Sequence, residues 1–389
     1  MRPSLIVRPS ISGAACASLF VLISSLALAD DSPVLLAPAP AGYPRAASTV
    51  DASGTPVALA VVESPLGGLR RLVLLRRAAE ANATTNETWL ATGAVIVSAP
   101  ARPDVDLANG FLLQLAPSGV LLCAYRHHDG VGAQRVFRIA VSRSVDYGVS
   151  WSPLAVVSAG PVGVWEPFLQ QLAAEGDGVV HVYYSKELTN GGEQDVVRQT
   201  SADAGVSWSS VDVRLHTPNS RNGMPGVAEL ADGSLLCVYE GFGVAGWNHF
   251  EVHAQRSFDL GSTWTQPIVV HAPASSAYNA GSPQVAVCPQ TGKVVVVFMS
   301  DEPLPPAGAW PDGAHLGIAS ARLDAANVSA PLAFPAVAGV VPTPATVFWP
   351  SLLLDALGAS GSIELSLRAA FQGGDGAAYL TRNTLCIDN

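Results

Sequence analysis

Apolar and polar positions follow one repeating order along most of the chain. An apolar run ends in a Gly-bearing turn, a second apolar run follows, then a polar loop, then a third run. FLLQLAPSGVLLCAYR spans Phe111–Arg126 and is followed by FRIAVSRS. FLQQLAAEGDGVVHVYY spans Phe168–Tyr184, and GVAELADGSLLCVYE spans Gly226–Glu240, followed by EVHAQRS. Short apolar runs bounded by turn residues, with almost no helical spacing, predict strands. The third run flows into an S-x-D-x-G-x-[ST]-W box at Ser144–Trp151, Ser201–Trp208 and Ser257–Trp264, its aspartates 57 and 56 residues apart. Asp can bond nearby backbone N–H groups and Gly takes positive φ, so the box reads as a structural turn whose Trp packs where the next strand starts.

Weaker copies flank these three. Upstream, VALAVVE and RRLVLLRR lead to Asn86-Glu87-Thr88-Trp89, a box that keeps its Trp; downstream, PQVAVCPQTGKVVVVFM leads to a box that keeps only Asp324. Five first strands carry Xaa-Pro (Tyr43-Pro44, Glu166-Pro167, Met224-Pro225, Ser282-Pro283, Trp349-Pro350), and Asn109-Gly110 fills the slot of the second unit. From position 44 the steps are 66, 57, 58, 58 and 67 residues. Proline suits the beginning of a strand and not its middle. A fixed repeat of strand-rich units predicts an all-β, six-bladed β-propeller of four-stranded antiparallel blades. Pro33-Val34-Leu35-Leu36 is expected to close the ring against the last unit. A two-sheet sandwich is the alternative, and the fixed period argues against it.

Outside the repeats, Arg2 and Arg8 precede a mostly apolar stretch, Ile11 to Leu28, and Ala27-Leu28-Ala29 has the form of a cleavage site. Residues 1–29 are read as a secretory signal and residues 30–389 as a single domain, a secreted monomer with no membrane span after cleavage. Loss of 1–29 removes two arginines and no acids, taking the formal charge from −10 to −12. An acidic surface disfavours nucleic acid and anionic membranes and agrees with a neutral or weakly charged ligand. Charged residues are 13% and hydrophobic ones 49%, enough for a large core. Cys123 and Cys237 lie in apolar runs as buried thiols; Cys288 and Cys386 could bridge in an exported chain. No spacing matches a zinc site. Asn82, Asn86 and Asn327 head glycosylation sequons.

In such a ring, the starts of first strands and the ends of second strands meet in one central funnel. The starts are Tyr43 with Arg45, Asn109, Glu166, Met224 with Arg221 and Asn222, Ser282, and Trp349. The ends are Glu63, Arg126 with His127 and His128, Tyr184, Glu240 and Met299. Glu166 and Glu240 come from adjacent units, and paired carboxylates are what glycosidic-bond cleavage needs: one protonates the leaving oxygen, the other attacks or activates water. A shared site also separates their pKa values. Trp165 and Trp349 could stack on a sugar face. Duller readings stand beside these. Arg126 and Arg221 could be counter-ions, His127 and His128 ordinary loop histidines, Met224 wall packing, and Glu63 a solvated loop charge.

At these residues the chain resembles the sialidase-fold Asp-box glycosidases, and among them the fungal exo-arabinanases of glycoside hydrolase family ninety-three. The resemblance rests on DLANGFLLQL from Asp106, YRHHD from Tyr125, WEPFL from Trp165, SRNGM from Ser220, AGSPQV from Ala280 (which includes Gln284) and WPSLL from Trp349. It implies a six-bladed retaining glycosidase that releases arabinobiose from α-1,5-linked arabinan with no metal or organic cofactor. It assigns catalysis to Glu166 (acid/base) and Glu240 (nucleophile), and substrate contacts to Arg45, Asn109, Arg126, His127, His128, Trp165, Arg221, Asn222, Gln284 and Trp349. Gly110 and Asn222 depart from the family's pattern. Two alternatives stand: an exo-sialidase, in which Arg45, Arg126 and Arg221 would grip a carboxylate, and a glycan-binding propeller without turnover.

Overall fold

The computed structural model describes residues 32–389 except 79–86, 189–191, 211, 216–219, 244–247, 290, 303–309, 325–329, 331, 335–336, 341–345, 356–365, 382–384 and 386–389. The signal reading, the three sequon asparagines and Cys386 therefore lie outside the described residues. Cys123 and Cys237 are free and buried, and Cys288 is disulfide-bonded.

The chain is all-β. Strand β1 (Val34–Ala37) comes first. Then follow β2 (Gly42–Val50), β3 (Pro56–Glu63), β4 (Leu69–Arg77) and β5 (Trp89–Pro100); and β6 (Asp106–Gln114), β7 (Leu121–His128), β8 (Phe137–Ser144) and β9 (Ser152–Gly160). The middle holds β10 (Val164–Gln170), β11 (Val180–Glu187), β12 (Gln194–Ser201), β13 (Val213–Leu215), β14 (Arg221–Glu229), β15 (Leu235–Phe242), β16 (Phe250–Ser257) and β17 (Ile268–His271). Last come β18 (Ala280–Val287), β19 (Val294–Ser300), β20 (His315–Ala321) and β21 (Val337–Val340), then β22 (Val347–Asp355), β23 (Ser366–Gly373) and β24 (Ala378–Leu380).

The sheets are arranged as a propeller. Strand β2 packs on β6, β6 on β10, β10 on β14, β14 on β18, β18 on β22, and β22 back on β2, so the first strands form a closed ring. Strand β1 pairs antiparallel with β24, Val34 opposite Leu380, and ties the two ends of the described chain into one sheet. The expectation of six separate four-stranded blades needs correction. Among the described residues four sheets are four-stranded, while β10 to β17 form a single eight-stranded sheet. The join is one parallel bridge, Gln194 to Arg221, reinforced by the Gln194 amide donating to the Asn222 carbonyl at 2.8 Å.

Buried apolar side chains fall into six clusters, each shared by neighbouring units, as where Leu115, Leu122 and Ile139 meet Val164, Leu169 and Val182. Each strand presents alternate residues to its two neighbours, so both faces must be apolar. Gly110 shows how tight the seam is: a Cβ there would stand 2.8 Å from Val61 Cγ2, which explains glycine where the other units carry proline.

The three boxes are near copies. The Ser144, Ser201 and Ser257 hydroxyls each accept a backbone N–H from the box glycine at 2.8 Å and donate to the box aspartate at 2.7–2.8 Å. Asp146, Asp203 and Asp259 also take the hydroxyl, the strongest influence on each, and the N–H of Ser150, Ser207 and Thr263. These donors hold all three carboxyls down at about 2. The residue before each glycine, Tyr147, Ala204 or Leu260, is itself left-handed, with φ of 56–58°.

Candidate active site

Among the described residues, six further non-glycine positions have positive φ: Tyr43, Asn109, Glu166, Met224, Ser282 and Trp349, with φ between 41 and 56°. Each sits at the same place in its unit, inside a register shift of the first strand: Gly42/Arg45, Ala108/Phe111, Trp165/Phe168, Gly223/Gly226, Gly281/Gln284 and Phe348/Ser351. A bulge leaves one residue unpaired and re-aims its side chain. Holding a bulky residue left-handed costs about 1–3 kcal/mol, and such strain clusters at functional sites. The residues facing these bulges at the ends of the second strands are Glu63, Arg126, Ser185, Glu240, Met299 and Gln372, each the cross-strand partner of a residue just before the shift. Tyr184, expected at one of these ends, is fully buried with its hydroxyl on Asp212; strand alternation puts its neighbour Ser185 in the funnel.

Glu166 is surrounded by donors. The Ser185 hydroxyl donates to Oε2 at 2.9 Å, and Arg126 Nη1 lies 3.7 Å from Oε1. Burial pushes the Glu166 carboxyl up, while Arg126, Ser185, Arg221 and Arg45 pull it back. Glu240 has a poorer environment. Its Oε2 accepts the Ser282 N–H at 2.8 Å, and burial, opposed by that bond and reinforced by the Glu166 charge, pushes it up to about 7. Room for it depends on Gly281, where a Cβ would stand 2.5 Å from Glu240 Oε2. The two acids thus share one electrostatic site with unequal claims on a proton.

Arg126 links the polar side of the funnel. Its Nε lies 3.1 Å from Asp106, and its guanidinium lies over the rings of Trp165 at 5.5 Å and Tyr43 at 5.9 Å. Arg45 is buried and donates to the carbonyl of Trp349 at 2.9 Å, and burial lowers it to about 10. Tyr43 stacks on Trp349, ring centres 4.8 Å apart and 9° from parallel. Arg45, Asn109, Phe111, Glu166, Pro167, Met224, Pro225 and Gln284 line a narrow cavity on the axis.

Other expected contacts lie elsewhere. His128 is fully buried, bonded to the Val164 carbonyl at 2.8 Å and edge-on to Phe137 and Trp165; burial and the charge of Arg126 drive it down to about 4. It positions Trp165 and does not face the funnel. Asn222 is also fully buried, its Oδ1 accepting from the Ser220 hydroxyl at 3.1 Å. One face of Trp165 is taken by Arg126, and one face of Trp349 by Tyr43. His127 is half-buried at the end of β7. Arg221 is held by Glu187 at 3.1 Å and by the Gly192 carbonyl. Glu63, set aside as a loop charge, is instead a half-buried carboxyl raised by desolvation, with Oε1 accepting the Asn109 N–H at 3.0 Å. Its position in the repeat, the same as that of Glu240, was the signal that could have found it.

Residues 73–299 match the BNR repeat-like domain, more than half of the chain. The chain belongs to the BNR repeat-like domain family. No curated protein matches it in sequence. Among solved structures, this BNR repeat-like protein is similar to the α-L-arabinanase of Penicillium chrysogenum complexed with arabinobiose (TM-score 0.59, 21% identity, 90% of this chain and 97% of the other). It is similar to the family ninety-three α-L-arabinofuranosidase of Fusarium graminearum with arabinobiose (TM-score 0.58, 20% identity, 90% and 96%). A sialidase of Streptococcus pneumoniae also shares the fold (TM-score 0.55, 10% identity, 92% and 69%).

Proposed function

We propose that the protein is a secreted, monomeric, exo-acting glycoside hydrolase that releases arabinobiose from α-1,5-linked arabinan, with Glu166 and Glu240 as its catalytic pair. The observation that carries this reading is the pair itself: two half-buried carboxyls from adjoining units on one funnel, one beside a guanidinium and a hydroxyl, the other raised to about 7 by desolvation and the first one's charge. The ring is read as six-bladed. The eight-stranded sheet parts at its single parallel bridge into β10–β13 and β14–β17, and six first strands close the circle.

In a retaining reaction, one carboxylate attacks the anomeric carbon while the other, protonated, gives its proton to the leaving oxygen; water then releases the sugar with the second group acting as base. The resemblance gives Glu166 the acid/base role. The surroundings favour the reverse. Arg126 and Ser185 stabilise a charged Glu166, while Glu240 has one backbone donor and a like charge to hold its proton. Stacked Tyr43 and Trp349 supply an apolar wall for a sugar ring. The substrate is proposed from the arabinobiose bound in the two fungal structures.

The sialidase reading has less support. Arg45 and Arg221 are engaged by carbonyls and by Glu187, and Tyr379 lies on β24 with its hydroxyl on Asp375 at 2.5 Å. Purified protein incubated with linear arabinan should release arabinobiose. Release of sialic acid from a sialyl reporter, or glycan binding without turnover, would replace this reading. Export is tested by the N-terminus of protein recovered from the medium, expected at Asp30.

A further inference from the structure

Glu63 is built as Glu240 is built. Each stands at the inner end of a second strand, and each is paired across the sheet with a glycine, Gly42 for Glu63 and Gly223 for Glu240. The missing side chains leave room for the carboxyls: a Cβ on Gly42 would lie 3.2 Å from Glu63 Oε2, and one on Gly223 3.7 Å from Glu240 Oε1. Each accepts the backbone N–H of the next unit's left-handed residue, Asn109 at 3.0 Å for Glu63 and Ser282 at 2.8 Å for Glu240. The other four equivalent positions hold Arg126, Ser185, Met299 and Gln372, so only these two carry acids.

A counter-ion role accounts for Glu63 only in part: burial pushes its carboxyl up, and the charges of Arg126 and Arg45 oppose that push from beyond contact distance. Among the described residues no cation lies within ion-pair distance of it: Arg126 is paired with Asp106 and Glu166, and Arg45 donates to backbone carbonyls. One oxygen is used by Asn109, and no donor among the described residues takes the other. One hydrogen bond and two cations beyond contact distance compensate a carboxyl taken out of water only partly, and a ligand hydroxyl at Oε2 would complete the set. Glu63 is half-buried, as are Tyr43, Arg126, Glu166, Glu240 and Trp349 around the funnel, so part of its side chain stays open.

We infer that Glu63 is a substrate-binding residue: its free oxygen accepts a hydroxyl of the neutral sugar lodged against Tyr43 and Trp349, and its charge bars an anionic sugar from that position. This rests on the arabinan reading and adds a source of selectivity to it. Glu63→Gln keeps the volume and can still accept the Asn109 N–H, so it isolates the charge. Calorimetry in a Glu240→Gln background, which stops turnover, should show arabinobiose binding weakened about 10–100-fold by Glu63→Gln, the value of a hydrogen bond to a charged group. A disaccharide ending in a uronic acid should bind more tightly to the Gln variant than to its parent. With Glu240 intact, KM on linear arabinan should rise and the melting temperature should stay unchanged. Glu63→Asp, which keeps the charge on a shorter arm, should still exclude the uronic acid, and it carries the test if the Gln variant misfolds. Unchanged arabinobiose affinity in Glu63→Gln, or undiminished exclusion of the acidic sugar, overturns the Glu63 inference alone. No arabinobiose binding before Glu63 is changed overturns the arabinan reading, and this one with it.

Discussion

On the box side of the propeller the left-handed residues are Tyr147, Ala204 and Leu260; on the funnel side they are Tyr43, Asn109, Glu166, Met224, Ser282 and Trp349. The backbone device is the same, but the side chains differ in kind. In the boxes the repeated groups are the Ser, Asp and Gly that bond one another, while the left-handed residue itself differs from copy to copy, Tyr147 exposed and Ala204 and Leu260 packed on the core. In the funnel the bulge repeats, and each copy presents a different side chain to the axis. A repeated turn must satisfy the same backbone groups each time, so its chemistry recurs. A ring of bulges around one ligand gains from difference, because each position meets another part of an asymmetric sugar.

The largest effect expected from this contrast is on turnover. Glu166→Gln and Glu240→Gln should each reduce arabinan hydrolysis by about 10³-fold or more while far-ultraviolet circular dichroism stays native. Two variants with near-normal rates would show that the funnel acids are not the reacting pair. Gly281→Ala comes next. The new methyl would meet Glu240 Oε2 at 2.5 Å, and a carboxyl tip moves more easily than the sheet. The rate should fall about 10²-fold through a misplaced acid, with little change in melting temperature. A large thermal loss with normal kcat would put the strain in the backbone instead.

A pH series sharpens the comparison further. Burial and the Glu166 charge raise the Glu240 carboxyl to about 7 in the folded protein, so the native state holds a proton that the unfolded chain gives up near 4.5. Stability from this group is complete below pH 4.5 and is lost as pH rises to 7. Glu240→Gln removes that loss. It should match wild type in thermal melts at pH 4.5 and exceed it at pH 8 by up to about 3 kcal/mol. Equal curves at both pH values would place the proton elsewhere.

The smallest effect belongs to the boxes. Asp203 is held down at about 2 by Ser207 and Ser201, so its contribution is present above the usual aspartate range and lost as pH falls from 3.8 towards 2. Asp203→Asn should flatten that acid limb slightly and leave turnover untouched. A loss of activity would tie the box rim to the funnel.

The box turns were legible in the chain because their partners are two to four residues apart and bond one another directly. The closing strand β1 was legible for a related reason, as an apolar run left over from the repeat. The single sheet from β10 to β17 was not, because it depends on one parallel bridge from Gln194 to Arg221, with the Gln194 amide on Asn222, between residues far apart in the chain. Tyr184 and Ser185 exchanged places for want of one residue of register, which reverses the face a side chain takes. Glu63 looked like a loop charge because the Asn109 N–H that holds it lies 46 residues away.

What the sequence determined by itself is the repeat: strand lengths, box turns and the slots where the first strands begin, all consequences of local hydrogen bonding and period-two burial. What only the tertiary structure decided is which side chains those slots bring together, and with what charge. Bringing Glu240 next to Glu166, and Glu63 into reach of the same funnel, takes the closing of the ring. Desolvation and Coulomb coupling then act between residues far apart in the chain, and no local pattern encodes them.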